Sequence, residues 1–271
     1  MLFLSDLDFT LLRDDTTVSN FTKEIWNRVS NKTKLSIATA RSYTGVKELL
    51  KELHLSKPLI LLDGAVIANP DGSILHIASI DKALGDAIID LTKREFAIEP
   101  LIVAHKEGQE SFYYPKNLNK YQKEIIETMK MRNRIFNTSE LRAQEKNLKI
   151  VYQLESTLSQ EFEEKIKCVF GDTIEIKSSK DPYFNCHFIT ILHPLGDKGH
   201  ALLKLEEIED VSKEKTTVFG DSYNDIGIFE SAGTKVAVAN AIDELKKRAD
   251  IVLKESNNED AVAKYLQREI L

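Results

Sequence analysis

Two carboxylates close the first apolar run of this chain, Leu2-Phe3-Leu4-Ser5-Asp6-Leu7-Asp8-Phe9-Thr10. Side chains alternate in extended backbone, so Asp6 and Asp8 project to the same side. A run this short and apolar suits a strand buried on both faces of a parallel sheet. Such sheets bind ligands just beyond the carboxyl ends of their strands. Paired acids there can hold a hard cation, or divide into a nucleophile and a proton donor. An ordinary acidic turn has the same composition, so the pair gains meaning only from what accompanies it.

Three further segments accompany it. In Phe219-Gly220-Asp221-Ser222-Tyr223-Asn224-Asp225 a β-rich run ends at a glycine, and two acids flank an Asn before a helix. A helix N-terminus attracts anions but does not itself need two acids, although an N-cap with a first-turn acid would read alike. Leu35-Ser36-Ile37-Ala38-Thr39-Ala40-Arg41 ends a second strand in a hydroxyl. Thr39 is either a plain cap or, with nearby backbone N–H groups, a phosphate cradle. Leu195-Gly196-Asp197-Lys198-Gly199 sets a lysine at the opening of a helix. The positive end of a helix dipole disfavours a cation, so an anionic partner for Lys198 is a reasonable inference.

The elements that must position these residues alternate at both ends of the chain. Strands are predicted at Leu2–Asp6, Leu35–Thr39 and Pro58–Leu62, with helices at Thr22–Val29 and Ser42–Leu53. After residue 188 the rhythm returns, with strands at Phe188–Leu192, Thr216–Phe219, Lys235–Ala239 and Ile251–Leu253. Helices there begin near Lys198 and Asn224 and span Ile242–Arg248 and Glu259–Arg268. This is the signature of a doubly wound parallel sheet. The middle differs. Asn69-Pro70-Asp71-Gly72 is turn chemistry for a hairpin. Helices at Lys82–Phe96, Tyr121–Met131 and Leu158–Val169 then mix with strands at Ile98–Ala104, Leu148–Leu154 and Ile174–Lys177, around an aromatic segment Phe112-Tyr113-Tyr114. The expectation is an α/β core made of 1–80 and 188–271, with an inserted α+β module at 81–187.

Bulk properties exclude several classes of function. The 271 residues carry a formal charge of -6 with acids and bases interspersed, so no broad basic face serves nucleic acid or an anionic membrane. Hydrophobic residues at 42% and charged residues at 30% describe a globular protein with a substantial core. The N-terminus has no basic region before Asp6 interrupts it, and no apolar stretch reaches the length of a membrane span. Two distant cysteines, Cys168 and Cys186, lack metal spacing and suit a reducing cytoplasm. The six histidines show no paired metal spacing. His193 and His200 read as surface or supporting residues, as does Arg41 unless it reaches the substrate.

Asp6, Asp8, Thr39, Lys198, Asp221 and Asp225 each fall at a strand end or helix opening. Together they form a phosphoryl-transfer inventory. Their order and spacing resemble the four motifs of the haloacid dehalogenase superfamily, and the insertion resembles the α/β cap of its Cof-type (subfamily IIB) phosphatases. The resemblance implies a Rossmann-like core with a substrate-selecting cap. It implies that Asp6 attacks phosphorus, that Asp8 acts as acid and then base, and that Thr39 and Lys198 complete the catalytic set. Mg²⁺ would be held by Asp6, Asp8 through its backbone carbonyl, Asp221 and Asp225. The phosphate would be held by Thr39, Ala40, Lys198 and Asn224.

Three positions depart from the family pattern: Phe9 and Ala40 stand where Gly is common, and Asp63 where Asn is frequent. The expected activity is a Mg²⁺-dependent phosphatase of small phosphorylated metabolites, most readily sugar phosphates. A phosphotransferase or phosphosugar mutase and a non-catalytic sugar-phosphate sensor share the same apparatus. A phospho-switch receiver would need adjacent acids after its first strand and a much shorter chain. A cytoplasmic monomer or weak homodimer, binding neither nucleic acid nor membrane, completes the expectation.

Overall fold

Leu2–Asp6 forms strand β1, buried at every position, which is what an apolar run with no polar alternation requires. The computed structural model to which it belongs describes residues 1–129, 134–181 and 186–271. After β1 the chain makes one wide turn over Leu7–Leu11, closed by Leu12 N–H donating to the Leu7 carbonyl at 2.8 Å. Helix α1 (Asn20–Val29) follows, its first turn capped by the Ser19 hydroxyl. Strand β2 (Lys34–Ala38), helix α2 (Tyr43–Val46) and strands β3 (Leu59–Leu61), β4 (Val66–Ala68) and β5 (Ile74–Ile77) complete the first stretch. The helix expected over Ser42–Leu53 is only the short α2, after which the chain proceeds in turns. Val46, Leu50 and Leu53 are nonetheless buried at helical spacing, so the apolar stripe was real while the regular backbone was not.

The next stretch, Ala78–Gly196, is a compact unit of its own. It contains α3 (Lys82–Phe96), β6 (Leu101–Lys106), β7 (Gln109–Pro115), α4 (Lys120–Met129), β8 (Ile135–Thr138), β9 (Asn147–Leu154), α5 (Ser156–Phe170), β10 (Glu175–Asp181) and β11 (Cys186–Leu192). The last two residues of the helix expected to reach Met131 lie outside the described residues. Strand order is β10-β11-β9-β6-β7-β8, antiparallel except for β7 with β8. Ile88 and Leu91 of α3 and Phe162 and Ile166 of α5 pack with Ile150, Tyr152, Ile189 and Ile191 of the sheet. The expected strand Phe188–Leu192 belongs here, not to the first sheet. As β11 it pairs with both β9 and β10, so the division falls after Ile77 and after Gly196 instead of at 80 and 188.

Residues 197–271 return to the first unit. They form α6 (Lys198–Glu209), β12 (Thr216–Gly220), α7 (Ile226–Ser231), β13 (Thr234–Ala237), α8 (Asp243–Arg248), β14 (Ile251–Val252) and α9 (Ala261–Ile270). The eight-stranded sheet runs β14-β13-β12-β1-β2-β3-β4-β5, parallel from β14 to β3. Ser5 pairs with Phe219 and Asp6 with Ala38. That register brings the carboxyl ends of β1, β2 and β12 level, and Asp6, Thr39 and Asp221 with them. No helix among the described residues is long and apolar enough to cross a membrane.

Candidate active site

Lys198 organises the carboxyl edge of this sheet. Asp197 caps α6, its Oδ1 accepting from the Gly199 and His200 amides at 2.6 and 3.1 Å. This fixes the first turn and aims Lys198 inward, where 1% of it remains exposed. Its Nζ donates to Asp6 Oδ1 at 2.5 Å and to Asp225 Oδ1 at 2.6 Å. Burial alone would pull the ammonium down. The Asp225 and Asp6 carboxylates outweigh it and hold Lys198 charged, above its ordinary range. The fit beside the loop before α6 is tight. Gly64 has φ +119°, and a Cβ there would lie 2.2 Å from the Asp197 carbonyl carbon.

Asp225 is fully buried and uses both oxygens. Oδ1 meets Lys198, while Oδ2 accepts from the Asp221 and Ser222 amides at 3.0 and 3.2 Å. Asp221 in turn accepts from the Thr10 hydroxyl at 3.0 Å, which ties the turn after β1 to the end of β12. Ligand oxygens of Asp6, Asp221 and Asp225 lie within 4.8 Å of one another. Three carboxylates face one ammonium, and the acidic groups respond. Burial pushes Asp6 well up from its ordinary value; Lys198 offsets part of this, and Asp225 and Asp221 add to it. Burial, then Asp225, pushes Asp221 up to about 7. Hard oxygen donors with surplus negative charge fit a divalent cation of the Mg²⁺ type.

Asp8 stands apart from that cluster. Its backbone is extended (φ −73°, ψ 130°) and its carboxylate takes two bonds from Arg41, from Nε at 2.8 Å and from the terminal nitrogen at 2.5 Å. Thr39 is fully buried at the end of β2, and its Oγ1 accepts from the Arg41 amide at 3.1 Å. Ala40 is exposed and can offer only backbone. Asn224 is half-buried, accepting from Ser222 Oγ at 2.8 Å and reaching Asp63 Oδ1 at 3.5 Å. Asp63 N–H donates to the Thr39 carbonyl at 3.0 Å. Phe9 adopts φ 58°, a left-handed conformation that a glycine would enter at less cost. His200 pairs with Asp197 Oδ2 at 2.6 Å, a supporting contact.

The structure therefore gathers Asp6, Lys198, Asp221 and Asp225 into one contact network and sets Thr39, Asn224 and Asp8 around it. Sequence reasoning passed over the Arg41 chelate on Asp8 and the Thr10 bond to Asp221. Arg41 follows the motif threonine so closely that its position was the available signal. Thr10 gave none beyond its place in the first motif.

The eight-stranded α/β sheet thus carries an acid cluster and a buried lysine at its carboxyl edge, the place where ligands of such sheets bind. A family model described as haloacid dehalogenase-like hydrolase matches residues 3–266, and the chain belongs to that family. The Bacillus subtilis 5-amino-6-(5-phospho-D-ribitylamino)uracil phosphatase YwtE is 28% identical over 280 residues, covering 97% of this chain and 96% of that protein. The Escherichia coli pyridoxal phosphate phosphatase YbhA is 40% identical over 103 residues, 38% of each chain. The crystal structure of a haloacid dehalogenase-like hydrolase from Bacteroides thetaiotaomicron matches with a TM-score of 0.80 at 22% identity, covering 98% of both chains.

Proposed function

We infer that the protein is a Mg²⁺-dependent phosphatase of small phosphorylated metabolites, with sugar phosphates the leading class. The observation that carries this reading is the buried Lys198 ammonium held between Asp6 and Asp225, beside the Asp221 carboxylate. The names of the two phosphatase relatives point to organic phosphate monoesters as the substrate class.

In this reading an Asp6 oxygen attacks phosphorus, the ester P–O bond breaks, and the departing oxygen takes a proton from Asp8. Asp8 then withdraws a proton from the water that hydrolyses the aspartyl phosphate. Lys198 has three N–H donors and spends two on Asp6 and Asp225, so the third serves a phosphoryl oxygen. Thr39, the Ala40 backbone and Asn224 bind the remaining oxygens at the mouth of the strands. Asp6, Asp221, Asp225 and the Asp8 carbonyl would hold Mg²⁺, which supplies charge neutralisation on the phosphoryl group and keeps the buried acids ionised. Residues 78–196 act as the cap that selects the substrate. A cytoplasmic monomer or weak homodimer, binding neither nucleic acid nor membrane, is consistent with the charge pattern and the two widely separated cysteines.

The test is phosphate release from an aryl phosphate, with and without Mg²⁺, for wild type and Asp6→Asn. Release that needs both Mg²⁺ and Asp6 supports the reading, and retained metal-dependent release by Asp6→Asn overturns it. Isomerised sugar phosphate without free phosphate would instead identify a mutase.

A further inference from the structure

Asp8 lies in the wide turn after β1, and its carboxylate can be no better placed than the backbone that carries it. That backbone is held from an unexpected direction. The next residue, Phe9, sits at φ 58°, ψ 9°, a conformation that crowds Cβ in any L-residue. The peptide at this point turns its carbonyl toward the loop after β13, where Asn240 Nδ2 donates to Phe9 O at 2.7 Å. The other side of the same amide is also engaged. Asn240 Oδ1 accepts from the Asn257 amide at 2.9 Å. Asn257 is 2% exposed, and its own Nδ2 donates to Leu12 O at 3.0 Å and to Asp14 Oδ1 at 2.9 Å.

Two asparagines thus grip the turn at its middle, Phe9, and at Leu12, the residue whose N–H closes it on Leu7. Asn240 uses both the donor and the acceptor of its carboxamide. One face of Asn240 must accept from an N–H while the other donates to a C=O. A carboxylate would set an oxygen against the Phe9 carbonyl, and an alanine would lose both bonds. On the opposite side, Arg41 fixes the Asp8 carboxylate itself. The anchoring loop follows β13, which pairs with β12, the strand that delivers Asp221. The turn carrying Asp8 is therefore referenced to the same rigid strands as the rest of the site.

We propose that Asn240, backed by Asn257, is a positioning residue that holds the Phe9–Thr10 peptide, and through Phe9 the backbone of Asp8, where Asp8 can protonate the leaving oxygen. This rests on the reading of Asp8 as the proton donor. Asn240 touches neither the acid cluster nor Lys198 in its hydrogen bonds, so its effect passes through Asp8. The strain at Phe9 makes the grip matter. A residue that enters the left-handed region unwillingly relaxes when its carbonyl is released, whereas a glycine there would stay.

The experiment compares kcat/KM for two substrates of the Mg²⁺-loaded enzyme: an alkyl phosphate, whose alkoxide needs a proton to leave, and nitrophenyl phosphate, whose leaving group does not. Both parameters report the step up to phosphoryl transfer. Loss of general-acid help costs about 10²–10⁴-fold where a proton is needed. Asp8→Asn calibrates the split between the substrates. Asn240→Ala is expected to lower the alkyl phosphate at least about 10-fold more than nitrophenyl phosphate, in the same sense as Asp8→Asn. Asn240→Asp, which keeps the acceptor for Asn257 but loses the donor to Phe9, should behave likewise. It decides the matter if the alanine variant folds poorly. Phe9→Gly in the Asn240→Ala background should recover part of the alkyl-phosphate activity. Equal loss on both substrates, or no loss, alongside a clear Asp8→Asn split overturns the proposal for Asn240. If Asp8→Asn itself shows no split, the assignment of Asp8 as the acid fails first, and the proposal with it.

Discussion

Lys198 and Asp6 meet at 2.5 Å although 192 residues separate them in sequence. The same ammonium lies 2.6 Å from Asp225, so one buried cation serves two buried anions. Removing it leaves both acids without their counter-charge. Lys198→Met should destabilise the protein by about 3–5 kcal/mol in chelator at pH 8, the usual cost of stranding a buried charge. Urea denaturation checks this. A loss below about 1 kcal/mol would mean that water or movement of the loop relieves the charge. Phosphatase activity should vanish in either case.

Protons and a divalent cation should compete for the acid cluster. Asp221 is pushed up to about 7 from an ordinary value of 3.8, and Asp6 is raised as well. Between those two values the folded protein holds protons that the unfolded chain releases. Without metal, the contribution of these groups to stability is therefore present at low pH and lost as pH rises through about 7. The melting temperature in chelator should fall from pH 5.5 to pH 8 on their account. The increase produced by saturating Mg²⁺ should grow over the same interval. Calorimetry with and without Mg²⁺ at each pH measures both, and a pH-independent Mg²⁺ increment would contradict the assignment of Asp221 as a ligand.

Arg41 and Asp8 are respectively 31% and 34% exposed in their side chains, so their pairing adds little to stability. Arg41→Ala should change unfolding free energy by less than about 1 kcal/mol. Its effect on turnover should be larger, because the two-point grip aims the carboxylate. Arg41→Lys should recover only part of the activity, since a point charge cannot reproduce the fork. Matched steady-state kinetics and melting curves separate the two quantities.

Gly64→Ala places a methyl group against the backbone of Asp197 at a φ of +119°, where only glycine rests easily. The expected cost is about 1–3 kcal/mol, with reduced turnover because the displaced segment carries Lys198. An alanine variant with wild-type stability and activity would show that the loop shifts without disturbing α6.

Much of the core was legible because burial on both faces writes strands as unbroken apolar runs. Leu2–Asp6, Leu35–Thr39 and Thr216–Phe219 stand out for that reason, and chemistry-bearing residues at their ends follow. Cys186–Leu192 shows the limit of the same signal. Its apolar run fits either sheet, and only pairing with β9 and β10 assigns it. Strand β8, short and polar at Asn137, left no pattern to read. The Arg41–Asp8 and Asn240–Phe9 contacts span 33 and 231 residues and depend on loop paths, which have no period. Ser42–Leu53 retained the spacing of a helix while the backbone became turns after Val46.

The central strand β1 has two neighbours that lie far apart in the sequence. Its partner β2 is made soon afterwards, but β12 emerges only with residues 216–220. Residues 78–196 are contiguous and contain their own sheet, so they can complete their structure during synthesis. Until β12 arrives, β1 offers an unpaired apolar edge to the cell, the kind of template on which other strands add. Biosynthesis, before any catalysis, is thus the stage at which this architecture is most exposed to aggregation, and slowing elongation after residue 196 should raise the insoluble fraction.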